Sequence, residues 1–382
     1  MHQTLELTDE RRALTDVLRD FARRECGTRE QRDTLTDGGL ETHNAAVYAK
    51  LAELGFVGVG IDERYGGSGG TLTDMCLLAE EAAYGRLPVF GLTTTQIVAS
   101  TVGKFGSEAL KAEILGAVAG GSVESIAMSE PDAGSDVGSL RCRAVAVPGG
   151  FVLNGQKTWI SNAHIAARIL VVARTSTDGS KHEGLTMLSV PVTAAGLEIR
   201  GIETMGGREV NDVFLTDVFV ADDRVVGRVG EAWPQLMAGL NVERLLIAAM
   251  FLGHARRAFE DTLAYVRERR QFGKSIGSFQ ALKHRVADLA TEIECCRMLV
   301  AGVLRQAEAE PDRLLPREAS MAKLKVTETA RRVALEGMQM MGGYGYASEY
   351  DMVGHVQTSL ASTIYGGTSE IQRELIGRTY GL

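Results

Sequence analysis

What most limits how this chain folds is a change of period along it. Up to about residue 119 apolar residues recur at helical spacing. Between Arg141 and Val220 they come in short runs cut by turn residues, and from about Trp233 helical spacing returns. Leu14, Val17, Leu18, Phe21 and Ala22 form an i, i+3, i+4, i+7, i+8 stripe, and Thr8 with Asp9 and Glu10 behind it reads as a helix start. Further helices are predicted near Asn44–Leu54, ending at Gly55, and over Thr73–Tyr84, Val89–Phe105 and Glu108–Ala119. The short runs are Arg141–Val147, Phe151–Leu153, Thr158–Ser161, Ile169–Arg174, Thr186–Val190 and Val213–Val220. Pro148-Gly149-Gly150, Asn154-Gly155 and Asp178-Gly179 divide them, which predicts an antiparallel barrel or sandwich. Beyond Trp233, Leu245, Leu252, Phe259, Leu263 and Val266 line one helical face, and Leu282, Val286, Leu289, Ile293, Val300 and Leu304 line another. A third helix covers Glu318–Met341. The plan is mixed α and β in three parts, with boundaries expected at 1–122, 123–230 and 231–382.

Charge and composition narrow the function. Lys and Arg total 41 against 49 Asp and Glu, a formal net charge of −8. A nucleic-acid or anionic-membrane surface rewards clustered positive charge, so neither is expected as the main partner. No window approaches 18 uncharged apolar residues, and no membrane span is expected. The opening Met1-His2-Gln3-Thr4-Leu5-Glu6 has no basic or apolar leader region and is acidic early for a transit peptide. The five cysteines, Cys26, Cys76, Cys142, Cys295 and Cys296, are odd in number and include no Cys-x-x-Cys pair. Free thiols, no metal site and a cytoplasmic location are the expectation.

Five segments carry chemistry-bearing residues, and each also has a structural reading. Ser129-Glu130-Pro131-Asp132-Ala133-Gly134-Ser135-Asp136 stands where helix gives way to strand; its small residues let a backbone approach a flat ring or phosphate, or simply join two domains. Lys157-Thr158-Trp159-Ile160-Ser161-Asn162 places a Trp beside a hydroxyl, as cover for an aromatic cofactor or as barrel core. Arg269-Arg270-Gln271-Phe272-Gly273 ends a long helix, where cations suit a phosphate or the helix dipole alone. Gln339-Met340-Met341-Gly342-Gly343 is a helix running into a glycine turn. Tyr365-Gly366-Gly367-Thr368-Ser369-Glu370 is a tight turn opening a helix, an anion site or a simple cap.

In this order and spacing, the five segments resemble the acyl-CoA dehydrogenase family over essentially the whole chain. The resemblance implies a helical N-terminal domain, a central β-barrel and a C-terminal four-helix bundle. It implies non-covalent FAD, bound between subunits of a tetramer. Ile126, Met128 and Ser129 would meet the isoalloxazine, Trp159 and Ile160 would lie beside it, and the Ser161 hydroxyl would sit near N5. Arg269, Phe272, Gln280, Gln339, Gly342 and Gly343 would receive the adenosine and pyrophosphate part of a neighbouring subunit's FAD. Thr368 and Glu370 would contact the cofactor from the C-terminal turn. Ser135, Asn241, Arg244, Gly366 and Gly367 would meet the acyl-CoA, Ser135 lying also at the cofactor side. Electrons would pass to an electron-transfer flavoprotein from a homotetramer.

One departure is informative. Many members carry the catalytic Glu within this last turn, where the present chain has Gly366. Glycine has no proton acceptor in its side chain. Long-chain and isovaleryl-CoA dehydrogenases share that lack and carry the base on the first long helix of the C-terminal domain. The matching stretch is Leu240-Asn241-Val242-Glu243-Arg244-Leu245, which makes Glu243 the expected base and leaves Gly366 its backbone N–H as a donor to the thioester oxygen. The competing readings are a flavin monooxygenase or oxidase on the same fold, and a non-catalytic subunit of a mixed tetramer.

Overall fold

The structure is a computed structural model that describes residues 7–311 and 313–382, so the reading of Met1–Glu6 falls outside it. Among the described residues the twelve helices are α1 Asp9–Cys26, α2 Arg29–Leu35, α3 Ala45–Glu53, α4 Leu72–Tyr84, α5 Gly91–Phe105, α6 Glu108–Ala119, α7 Ala232–Glu268, α8 Gln280–Ala309, α9 Pro316–Met341, α10 Gly343–Tyr346, α11 Met352–Ser362 and α12 Ser369–Arg378. The strands are β1 Glu124–Ala127, β2 Arg143–Val147, β3 Gly150–Ser161, β4 Arg168–Arg174, β5 Leu185–Pro191, β6 Leu197–Thr204, β7 Gly207–Ala221, β8 Val225–Val226, β9 Arg270–Gln271 and β10 Lys274–Ser275. They gather into two units. Met1–Asp33, Leu72–Leu87 and Glu243–Leu382 form one, and Thr34–Thr71 and Pro88–Val242 form the other.

The first unit is helical. Thr8 caps α1 by accepting from the Arg11 N–H at 3.3 Å, with Asp9 and Glu10 in the first turn and Arg23 and Arg24 in the last, the polarity that suits the helix dipole. The buried face of α1 is Thr15, Leu18, Phe21, Ala22 and Cys26. Val17, expected on that stripe, is 47% exposed, because it lies one residue off the line that faces α4. From Glu243 onward α7 is buried nearly all round, with Leu245, Leu246, Ile247, Ala248, Ala249, Phe251 and Leu252 at 2% exposure or less. By length and composition alone it is apolar enough to cross a membrane, contrary to the expectation of no such stretch, but most of its apolar stretch is buried within the protein, as in a core helix. At the start of α11, Asp351 accepts from Arg32 and is ion-paired with Arg86, each at 2.5 Å.

The second unit holds one eight-stranded sheet of order β6-β7-β3-β2-β4-β5-β8, with β1 added on β4. The sequence predicts antiparallel pairing, and most pairs are so, but β1 and β2 both run parallel to β4. Three strands of this sheet lie outside the predicted runs: β1, β6 and the two-residue β8. β1 has only four residues, too few to show a period. β6 alternates Leu197, Ile199 against Glu198, Arg200, a legible pattern that the intervening Gly201 interrupts. The runs Phe151–Leu153 and Thr158–Ser161 are one continuous strand, β3. The sheet curls around a core that includes Ala144, Phe151, Leu153, Ile160, Val171, Leu188, Val213, Leu215 and Val218.

Candidate active site

Chemistry in the helical unit centres on the turn between α11 and α12. Gly366 and Gly367 have φ of 62° and 82°, the left-handed region that glycine enters freely. Gln372 on α12 donates through Nε2 to the carbonyls of Gly366 and Gly367 at 3.1 and 3.0 Å, and Lys323 on α9 donates through Nζ to the Gly367 carbonyl at 2.8 Å. With its carbonyls held from beneath, the turn leaves the N–H groups of Gly366 and Gly367 with no acceptor among the described residues. Successive free N–H groups in such a turn are donors for a developing oxyanion.

Glu243 faces this turn from α7. A Cβ placed on Gly366 would lie 3.6 Å from Glu243 Oε1 and only 2.3 Å from Cδ1 of Ile247, one helical turn further along. Ile247 is 2% exposed, so it cannot swing into solvent to make room. The space a side chain at 366 would need is therefore filled by α7, and the carboxylate at the turn comes from α7 instead. Burial pushes the Glu243 carboxyl above its ordinary range, and the nearby charges of Arg244 and Lys323 pull the other way. That is the balance a carboxylate needs to act as a base near neutral pH. Arg244 is 7% exposed and its Nε has no hydrogen-bond partner among the described residues, a buried cation left for something else. Asn241, in the other unit, donates to the Met237 carbonyl at 2.9 Å and leaves its own Oδ1 unpaired.

The sheet unit carries the second group. Lys157 is fully buried and donates to Glu130 Oε1 at 2.8 Å and to the Met128 carbonyl at 2.9 Å. Glu130 also accepts from the N–H groups of Arg141 and Cys142 at 2.6 and 2.8 Å, and the Thr158 N–H donates to the Ser129 carbonyl at 3.0 Å. These bonds fasten the loop bearing Met128 and Ser129 to β3. On β3, Lys157 pairs with Val213 and Ile160 with Asn211, so Thr158 and Trp159 together oppose Asp212. This β-bulge re-aims a side chain. Trp159 takes φ 61° and is 58% exposed, while Ile160 turns into the core at 2%. Any part Ile160 plays toward a cofactor is therefore through its backbone, because its side chain fills the sheet core. Ser161 is half-buried, and its carbonyl is held by the Ser125 hydroxyl at 2.6 Å. Ile126 lies on β1, and Ser135 is exposed in the loop beyond.

Back in the helical unit, the segment after α7 is not a plain helix end. β9 and β10 form a hairpin with Phe272 and Gly273 at its tip, φ 52° and 79°, which leaves Phe272 92% exposed. The Arg269 guanidinium sits 5.1 Å over the Tyr344 ring, bringing the hairpin base beside the α9–α10 junction where Gly342 and Gly343 lie. Gln280 begins α8, and both it and Gln339 are exposed. Thr368 caps α12 by accepting from the Ile371 N–H at 3.3 Å, and Glu370 is exposed in its first turn.

These features fit an FAD. Two large aromatic side chains, Trp159 and Phe272, are held out at backbone angles that bulky residues avoid. That is an outlay a flat ligand explains better than packing does. Arg269 supplies a cation for a pyrophosphate. Sequence reasoning assigned no role to Lys157, Glu130, Ile247, Lys323 or Gln372. One signal was available: Lys323 stands in an otherwise uncharged buried stripe with Ala319, Ala322, Val326 and Ala330, and a lysine there needs a reason.

Comparison with known proteins agrees with this reading. Family models described as the acyl-CoA dehydrogenase N-terminal, middle and C-terminal domains match residues 8–122, 125–218 and 230–381. A probable acyl-CoA dehydrogenase, YngJ of Bacillus subtilis (strain 168), is 34% identical over 382 residues, covering 98% of each chain. The crystal structure of an acyl-CoA dehydrogenase from Geobacillus kaustophilus superposes with a TM-score of 0.94 at 30% identity over 100% of both chains. An FAD complex of PigA does so with 0.91 at 26%, again over 100% of both. A hydrogen-bond-donating turn with a carboxylate beside it thus stands in a chain that belongs to the acyl-CoA dehydrogenase family, FAD-dependent oxidoreductases acting on CH–CH donors.

Proposed function

We propose that this chain converts a saturated acyl-CoA thioester to the trans-2-enoyl-CoA with Glu243 as the base. The observation that carries this reading is the relation of Glu243 to the turn: Glu243 Oε1 stands 3.6 Å from the place of a Gly366 Cβ, while Ile247 closes that place to any side chain. The thioester oxygen accepts from the Gly366 N–H, which stabilises negative charge as the α-proton leaves for the Glu243 carboxylate. FAD, when bound, supplies the acceptor for the β-hydride. Arg244 and Asn241 orient the thioester from α7, and Ser135 meets the pantetheine arm. Ile126, Met128, Ser129, Trp159 and Ser161 hold the flavin ring; Arg269, Phe272, Gln280, Gln339, Gly342, Gly343, Thr368 and Glu370 hold the rest of FAD.

The reading extends to assembly and context. A homotetramer is supported by the exposed aromatics Phe272, Tyr344 and Tyr346, Tyr344 lying under Arg269, with FAD shared between subunits. An electron-transfer flavoprotein is the proposed acceptor. Domains at 1–122, 123–230 and 231–382 are supported by the passage from α6 to β1 and from β8 to α7. Cysteines that form no disulfide suit a reducing compartment and support a cytoplasmic location.

The test is anaerobic bleaching of the FAD-loaded protein by a panel of acyl-CoA thioesters. Glu243→Gln retains shape and substrate binding, and its rate of bleaching falls by roughly 10²–10⁴-fold. Bleaching near the wild-type rate removes Glu243 from the reaction and leaves the oxidase or inactive-subunit readings.

A further inference from the structure

We propose that Lys323 is a positioning residue for this reaction, its buried ammonium group both anchoring the Gly366–Gly367 turn and serving as counter-charge to Glu243. The inference rests on the reading of Glu243 as the base. Lys323 is 0% exposed, and among the described residues its ammonium group makes one hydrogen bond, to the Gly367 carbonyl at 2.8 Å. A neutral carbonyl does not compensate an ammonium group taken wholly out of water, so a carboxylate must face it. Four charged groups act on it: Glu243 and Arg244 from α7, Glu328 from α9 itself and Glu370 from α12. Glu328 is already paired with Arg373 at 2.6 Å, and Glu370 is exposed to water. Glu243 has no ion pair among the described residues, which makes it the counter-charge.

The same ammonium fixes the donor geometry. A carbonyl that accepts a hydrogen bond polarises the N–H of its own peptide unit. Gln372 does this for the unit that carries the Gly367 N–H, while Lys323 and Gln372 together pin the Gly367 carbonyl and so hold the backbone of the turn from α9 and α12. Lys323 thus touches both halves of the machinery, the turn that receives the oxyanion and the carboxylate that receives the proton. Burial lowers its own affinity for protons to about 8, and it stays charged at neutral pH. Without that charge, ionised Glu243 loses a cation and binds its proton more tightly.

The experiment isolates proton abstraction from flavin reduction. 3,3-Dimethylbutanoyl-CoA has α-hydrogens and no β-hydrogen, so the FAD-loaded protein can only exchange its α-protons with deuterium from D₂O, followed by mass spectrometry across pH. In the wild type exchange rises with pH as Glu243 ionises. In Lys323→Met and Lys323→Gln the midpoint moves up by about one pH unit, with roughly tenfold slower exchange below it, whereas Lys323→Arg stays within a few tenths of a unit. Lys323→Gln keeps a donor for the Gly367 carbonyl and carries the test if the Met variant does not fold. A wild-type midpoint in the neutral variant overturns the proposal. Glu243→Gln separates the two ideas. If it abolishes exchange while the Lys323 variants are unmoved, only the role of Lys323 falls; if it exchanges like wild type, the base assignment falls and takes Lys323 with it.

Discussion

Two residues show what single positions impose. Gly366 is required twice, by its φ of 62° and by the 2.3 Å that would separate a Cβ from Ile247 Cδ1. Gly366→Ala is expected to lose about 1–2 kcal/mol from the left-handed backbone and a further ~1–3 kcal/mol from overlap. Only the second part is shared with Ile247, so in an Ile247→Val background the same substitution costs about 1 kcal/mol less, read from a double-mutant cycle of urea midpoints. Equal costs in both backgrounds would show that Ile247 is not the obstacle. The same overlap argues that a Glu placed at 366 does not regain the turn-borne base without trimming Ile247. Trp159 is the complementary case, a large side chain the apo fold does not need. With 58% of it exposed, Trp159→Ala leaves the melting of FAD-free protein within about 1 kcal/mol, while FAD dissociates at least ~10-fold more readily. Unchanged FAD affinity by fluorescence titration counts against a flavin contact at Trp159.

At the scale of elements, the loop after β1 is positioned by β3. The tie is the buried pair Lys157–Glu130, 0% and 8% exposed, with both carboxylate oxygens taking further N–H donors. Breaking such a pair strands the remaining charge. Lys157→Met is expected to destabilise the sheet unit by about 3–5 kcal/mol, well beyond the volume change, and Lys157→Met with Glu130→Leu to recover part of it. Denaturation monitored by far-UV circular dichroism decides this; a single variant within 1 kcal/mol of wild type would mean the pair is no clamp. The bulge at Thr158–Trp159 belongs to the same scale, since one extra residue on β3 is what sends Trp159 outward while Ile160 stays in the core.

At the scale of the molecule, acid stability has a defined centre in the helical unit. Burial alone would raise the Asp351 carboxyl, but Arg86 and Arg32 outweigh it and hold it at about 2. A carboxyl depressed in the folded state gives stability that is complete above its ordinary value near 4 and disappears as pH falls toward 2. This group contributes about 2 kcal/mol across that window. The stability gap between wild type and Asp351→Asn should therefore narrow by that amount from pH 6 to pH 2, measured by urea titration. A gap independent of pH would assign Asp351 a packing role only.

The sequence by itself determined the order of helix, strand and helix and the five glycine- and aromatic-bearing segments; the departure at Gly366 that points to Glu243 came through the family resemblance those segments carry. These were legible because period, turn residues and missing side chains are local properties of the chain. It did not reveal β1, too short for a period, or that Val17 faces water, since a one-residue offset on a helix is decided by the neighbour it packs against. It also did not reveal that Ile160 turns inward, because a bulge depends on the register of β7 as well as β3. Ile247, Lys323 and Gln372 lie 119, 43 and 6 residues from Gly366. Only the packing of α7, α9 and α12 around one turn gives the first two their meaning, because burial and charge compensation are properties of a place in space and not of a place in the chain.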